Sequence, residues 1–224
     1  MPISGTTTFD LDVADIIEEA YEMVGKEVRG GYDLRTARRS LDLLTKEWGN
    51  RGINFWTIEE AAAPIMGNIS EIQLDSDVID ILDAVWRTNI DTTPYDRILT
   101  RISLAEWSQT TIKQMLGLPT QYWVNRLSSA PVAHIWPVPT EGGIFVYWKL
   151  RKIQDAGKYT NTMDVPGRFL PAMTAGLAYY LAIKTPGADS RIPVLQAEYE
   201  RQFMLAAEED RERASLFLLP GVGR

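Results

Sequence analysis

The chain has 224 residues, a length that suits one large domain or one domain with an insertion. Apolar residues at 45% and charged residues at 24% allow a substantial core and exclude disorder throughout. The absence of cysteine excludes a disulfide framework, thiolate metal sites and cysteine nucleophiles, while a net charge of −7 disfavours sequence-specific DNA binding and still allows a passage through which DNA slides.

Met1 to Leu11 is polar and threonine-rich, with none of the features of a signal peptide. Asp12 is placed to cap a first helix, on which Val13, Ile16, Ile17, Ala20, Tyr21 and Val24 recur at helical spacing. After Gly25, Gly30 and Gly31, Asp33 is expected to cap a second helix with a narrow seam of Leu34, Ala37, Leu41, Leu44 and Trp48. Gly49 and Gly52 end it, and the short connection predicts an antiparallel helical hairpin over residues 1–55.

Residues 56–160 read as a β-rich insertion. Ile81 to Arg87, Ile98 to Ile102, Gln121 to Leu127, Val132 to Trp136 and Ile144 to Leu150 are rich in β-branched and aromatic residues, with turn formers between them. Ser103 and Glu106 have the spacing of a capping box, which predicts a short helix carrying Trp107. Residues 161–215 return to helical patterning. Phe169 to Ile183 is expected to be a core helix apolar nearly all round, too short to cross a bilayer and ended by Pro186. A last helix is predicted from Arg191 to Ser215, with Ile192, Leu195, Tyr199, Phe203 and Ala206 as its apolar stripe. The fold class expected from this order is α+β: mainly a helical bundle of four helices, two from each end of the chain, with an inserted antiparallel β-rich lobe.

Little in the sequence points to catalysis. His134 is the only histidine and lies in a predicted strand with no matched nucleophile, so a structural role is expected. Asp155 and Asp164 flank a loop after the sheet and are the best-placed carboxylates for a hydrolase, though helix capping or pairing with Arg151 or Arg168 explains them as well. Gly30-Gly31 lacks any phosphate-binding pattern, and no ligand cluster supports a metal or other cofactor. The seven tryptophans are expected mostly in the core. The apolar run Leu216, Phe217, Leu218, Leu219 and Pro220 follows the charged Glu208 to Arg213, so residues 216–224 read as an extended tail that docks on a partner.

Several segments, in order, resemble the head-to-tail adaptor proteins of short-tailed phages (podoviruses). They include Ala37 to Leu44 leading to Trp48, Gly52 to Trp56, Val78 to Leu82, Gly117 to Trp123, Trp136 to Pro139, Asp164 to Pro171 and Gly176 to Ala182. That group includes the tail accessory factor of P22-like phages and the adaptor of T7-like phages. The resemblance implies a structural virion protein without enzymatic activity. It implies a ring of twelve copies at the portal vertex, assembled in the host cytoplasm, with the portal protein above and the tail nozzle or fibres below. The ring would continue the DNA channel, and Leu216 to Pro220 would reach the portal. The net charge of −7 adds the expectation of an acidic or neutral channel wall without sequence-specific DNA contacts, and no membrane partner is expected. The competing readings are a non-catalytic regulatory or binding protein and a carboxylate-dependent hydrolase.

Overall fold

Capping chemistry sets the first helix where the spacing predicts it. Asp12 accepts from the backbone N–H of Asp15 at 2.9 Å, and Asp15 accepts from that of Asp12 at 3.3 Å. The helix ends where Gly25 adopts a left-handed φ of 81°, a conformation costly for side chains with a Cβ. The computed structural model describes residues 5–7, 9–28, 30–53, 55–88 and 93–210. In chain order the elements are α1 (Val13–Val24), α2 (Gly31–Asn50), β1 (Ile58–Ile65), β2 (Glu71–Gln73), β3 (Val78–Thr88), β4 (Tyr95–Arg101), α3 (Leu104–Gln109), β5 (Leu116–Gly117) and β6 (Gln121–Asn125). They continue with β7 (Val132–Trp136), β8 (Val138–Pro139), β9 (Gly143–Arg151), α4 (Leu170–Ala182) and α5 (Ile192–Glu209). Two compact units result: residues 56–153 form one, and the segments on either side of them form the other.

The helical unit is organised by α4. Ten of its thirteen residues are buried, and α1, α2 and α5 all pack against it. A helix with no polar face has to be surrounded, so the near-continuous apolar run becomes the hub. Gly176 permits the closest approach: a Cβ there would lie 2.9 Å from Tyr199 and 3.0 Å from Leu44. Trp48 is fully buried beside it, packed on Phe169 and Phe203, with its Nε1 donating to the Tyr199 hydroxyl at 3.0 Å. Arg51 closes the edge of this core, paired with Glu47 and doubly with Glu200 while lying over the Phe203 ring. Burial pushes the Tyr199 phenol well above its ordinary pKa, and Tyr180, which donates to Glu47 at 2.8 Å, is raised to about 12 by burial and by that carboxylate.

The expected fold class is corrected. Among the described residues there are five α-helices and a seven-stranded sheet, so the chain is not mainly a bundle of four helices. One local expectation also changes. Gly30, not Asp33, precedes α2, which places Asp33 inside the first turn, where its carboxylate faces Lys26 at 3.5 Å. Asp210, in the charged run that begins at Glu208, is buried and ion-paired with Arg168. The predicted helical residues 211–215 lie outside the described residues.

The sheet unit has strand order β1-β9-β3-β4-β6-β7-β2, antiparallel except where β4 meets β6. Alternate residues of β6 and β7 are buried, as a half-covered strand requires. Ile81, Trp86, Tyr122, Ile135 and Phe145 form the centre of its core. Two register shifts in β3 turn Asp80 inward. There its carboxylate accepts from Arg101 at 2.9 and 3.0 Å, from Arg126, and from the Ile81 N–H at 2.9 Å.

Candidate assembly surface

The clearest unpartnered surface lies on the sheet unit between residues 104 and 118. It begins with α3, where Ser103 and Glu106 form the expected capping box: the Glu106 N–H donates to Ser103 Oγ at 3.2 Å, and the Ser103 N–H donates to Glu106 at 2.7 Å. The Ser103 backbone N–H, and after it the Ser103 side chain, hold the Glu106 carboxyl below its usual range. Six residues are too few to keep a helix folded alone, and none of the six is buried. The anchor is aromatic. The Trp107 ring stacks on Trp123 with centroids 5.6 Å apart and lies 5.3 Å from His134, while Trp123 and His134 stack at 4.9 Å.

Register explains the cluster. Trp123 of β6 is directly opposite His134 of β7, and Glu71 of β2 is opposite His134 on the other side. His134 Nδ1 lies 3.7 Å from the Glu71 carboxylate. Burial between the indoles lowers the His134 pKa below the ordinary histidine value, with Glu71 opposing, so the ring is neutral at neutral pH. His134 completes a cluster of three rings in mutual contact with Trp107 and Trp123.

Beyond α3 the chain stays on the surface. The Trp136 indole donates to the Ile112 carbonyl at 3.0 Å, and the Val138 N–H donates to the Met115 carbonyl at 2.9 Å, pinning the backbone down. The side chains face outward. Leu104 and Ile112 are each 63% exposed, and Met115, Leu116 and Leu118 are about half exposed. Ile102, Ile112, Met115 and Trp136 line an open groove between them. Singly exposed apolar residues are ordinary, but five within one pinned segment form a surface suited to a protein partner. Full burial of each such side chain is worth roughly 1.5–3 kcal/mol, so covering the group would stabilise a complex by several kcal/mol before ordering costs.

The other singled-out residues are placed as follows. Asp155 pairs with Lys46 at 3.0 Å, and Asp164 accepts from the Gln154 N–H at 3.0 Å. Both bonds hold the loop after the sheet. Arg151 holds Glu59, and Arg168 holds Asp210. Only Trp48 and Trp86 are fully buried, and Trp56, Trp107, Trp123, Trp136 and Trp148 are half-buried, more surface-directed than expected. Leu216, Phe217, Leu218, Leu219 and Pro220 lie outside the described residues. Among the described residues no cluster of histidine, aspartate or glutamate is suited to a metal ion, and no helix is long and apolar enough to cross a membrane.

The sequence signal for this surface was the capping box followed by Ile112, Met115, Leu116 and Leu118 without a strand or helix period. That stretch passes for a loop when only periodicity is read. Comparison with known proteins gives one family: the model of the SU10 adaptor protein matches residues 11–221. No curated protein matches the chain. The chain belongs to the SU10 adaptor protein family, a phage head-to-tail adaptor family. Likeness to the P22-like or T7-like adaptors in particular is not part of that match.

Proposed function

We propose that this member of the SU10 adaptor family is a non-enzymatic ring subunit at the neck of a short-tailed phage particle. Twelve copies would sit beneath the portal, carry the tail nozzle or fibres, and continue the channel for DNA ejection. The single observation that carries the adaptor role is the family match across nearly the whole chain. The exposed apolar segment on the sheet unit supports it, because a surface of that kind serves assembly better than chemistry. The number twelve and the short-tailed type rest on the resemblance noted in the sequence.

The net charge of −7 suits a channel wall that does not retain DNA, since phosphate-neutralising lysines and arginines would slow its passage. For the portal contact we propose the tail, Leu216 to Pro220, in keeping with its apolar character after a charged stretch.

The test is co-sedimentation of the purified chain with isolated portal, using the full chain and a chain lacking residues 216–224. The full chain is expected to bind and the shortened one to stay folded and lose binding. Equal binding by both removes the tail from the contact. No binding by either, to the portal or to adaptor-free heads, contradicts the adaptor reading.

A further inference from the structure

The helical unit carries two opposite, unneutralised charge rows. Arg35, Arg38 and Arg39 project from the first half of α2, with Arg35 and Arg39 exposed one turn apart. Their hydrogen bonds go to backbone carbonyls: Arg35 to Gly31 at 3.2 Å and Arg38 to Gly157 at 3.1 Å. Among the described residues none of the three has a carboxylate within ion-pair distance. By contrast, Arg51, Arg87, Arg101, Arg126, Arg151, Arg168 and Arg201 each hold a carboxylate, whereas Arg191, like Arg35 and Arg38, donates to a backbone carbonyl. Lys184 adds to the cluster by donating to Ser40 Oγ at 2.7 Å, and its pKa is lowered by burial and then by Arg39.

The second row is on α1. Its buried face is Val13, Ile16, Ile17, Ala20, Tyr21 and Val24, which leaves Asp15, Glu18, Glu19 and Glu22 exposed. The helix has no basic residue, and among the described residues no cation lies within ion-pair distance of Glu18, Glu19 or Glu22. Glu18 and Glu22 are one turn apart, the same spacing as Arg35 and Arg39. Each row thus presents two like charges about 6 Å apart along its helix axis.

We infer that neighbouring copies of this chain meet with the cationic row of α2 on one copy against the anionic row of α1 on the next. The inference rests on the ring reading above. A cyclic array needs two different, complementary faces on each subunit, and these rows are complementary in sign and spacing. A two-fold dimer pairing like rows would repel. DNA would satisfy the arginines but would leave the acidic row unexplained, and a basic row on the channel wall would retain the DNA that has to move.

The experiment counts copies bound per portal-bearing, adaptor-free head for wild type, Arg35→Glu with Arg39→Glu, Glu18→Lys with Glu22→Lys, and all four changes together. Each single-face reversal is expected to bind at least about tenfold fewer copies, and the fourfold swap to recover because the signs again match. A single-face reversal that binds like wild type overturns the inference, and so does a fourfold swap that fails to recover. Either result leaves the ring reading standing if wild type binds. Wild type failing to bind ends the ring reading itself. Should a reversal unfold the subunit, Arg35→Gln with Arg39→Gln takes its place. That pair is expected to lose binding and its salt dependence, and unchanged binding overturns the inference.

Discussion

Each unit buries one tryptophan, Trp48 and Trp86, but the sheet unit carries others at its surface. In the helical unit Trp48 is sealed between Phe169 and Phe203, and its indole N–H is satisfied by Tyr199. In the sheet unit Trp107, Trp123 and Trp136 are half-buried and support a segment whose Leu104 and Ile112 stay 63% exposed. The helical unit closes its core around α4 and leaves Val194, Met204 and Leu205 of α5 exposed, whereas the sheet unit sets five exposed apolar residues on one pinned segment beside these rings. An aromatic count therefore does not separate fold from function. What separates them is how much of the ring and of the apolar residues around it stays exposed in the subunit.

The sharpest way to break this contrast is to truncate one tryptophan of each kind. Trp48→Ala is expected to cost about 3–5 kcal/mol of stability, since it empties the centre of the helical unit and orphans the Tyr199 contact. Trp107→Ala should cost no more than about 1–2 kcal/mol, because α3 has no buried residue. Denaturant unfolding of both variants gives the comparison, and equal losses would contradict it.

A smaller effect is expected at Asp80. Asp80→Ala removes a buried carboxylate from Arg101 and Arg126, whose side chains are 38% and 60% exposed and so regain water. Solvent screening holds the expected cost to about 1–3 kcal/mol, measured as a lowered denaturant midpoint at unchanged slope. Smaller still on stability is the triple change Leu104→Ser, Ile112→Ser and Leu116→Ser. It should shift the subunit's own stability by no more than about 0.5 kcal/mol per site while reducing incorporation into particles. A particle that assembles normally with all three changes would remove this surface from the assembly.

The smallest effect is acid sensitivity at His134. Its folded pKa is lowered, so the unfolded chain takes up the proton first as pH falls. Stability from this group is whole above the ordinary histidine value of 6.5 and declines as pH falls below it towards the folded value. A ring-proton titration by NMR should place the His134 midpoint below 6.5, and His134→Gln should flatten stability across that window. A midpoint above 6.5 would show that Glu71 outweighs burial.

Much of the fold was legible where one force dominated. The Asp12 and Ser103 caps, the α1 stripe and the apolar run of α4 rest on local spacing, and each stands where the spacing put it. The balance of helix and sheet did not come through. β1 reads Ile58-Glu59-Glu60-Ala61-Ala62-Ala63-Pro64-Ile65, a composition that favours helix, yet pairing with β9 makes it an edge strand. Pro64 is tolerated there because an edge strand needs fewer hydrogen bonds. β2, β5 and β8 have two or three residues each, too few to show a period. At the candidate surface, Trp107 was placed on its helix, but stacking with Trp123 and His134 needed the β6–β7 register. The α1 and α2 charges were visible as residues. Their lack of partners was not, because ion pairing depends on distant elements such as Asp155 with Lys46.

The most direct test of the adaptor account is electron microscopy of adaptor-free, portal-bearing heads incubated with the purified full chain. The account predicts a closed ring of this chain at the portal vertex, twelve copies in register around the channel. A single copy at the vertex, or density elsewhere on the head with the vertex bare, would contradict it.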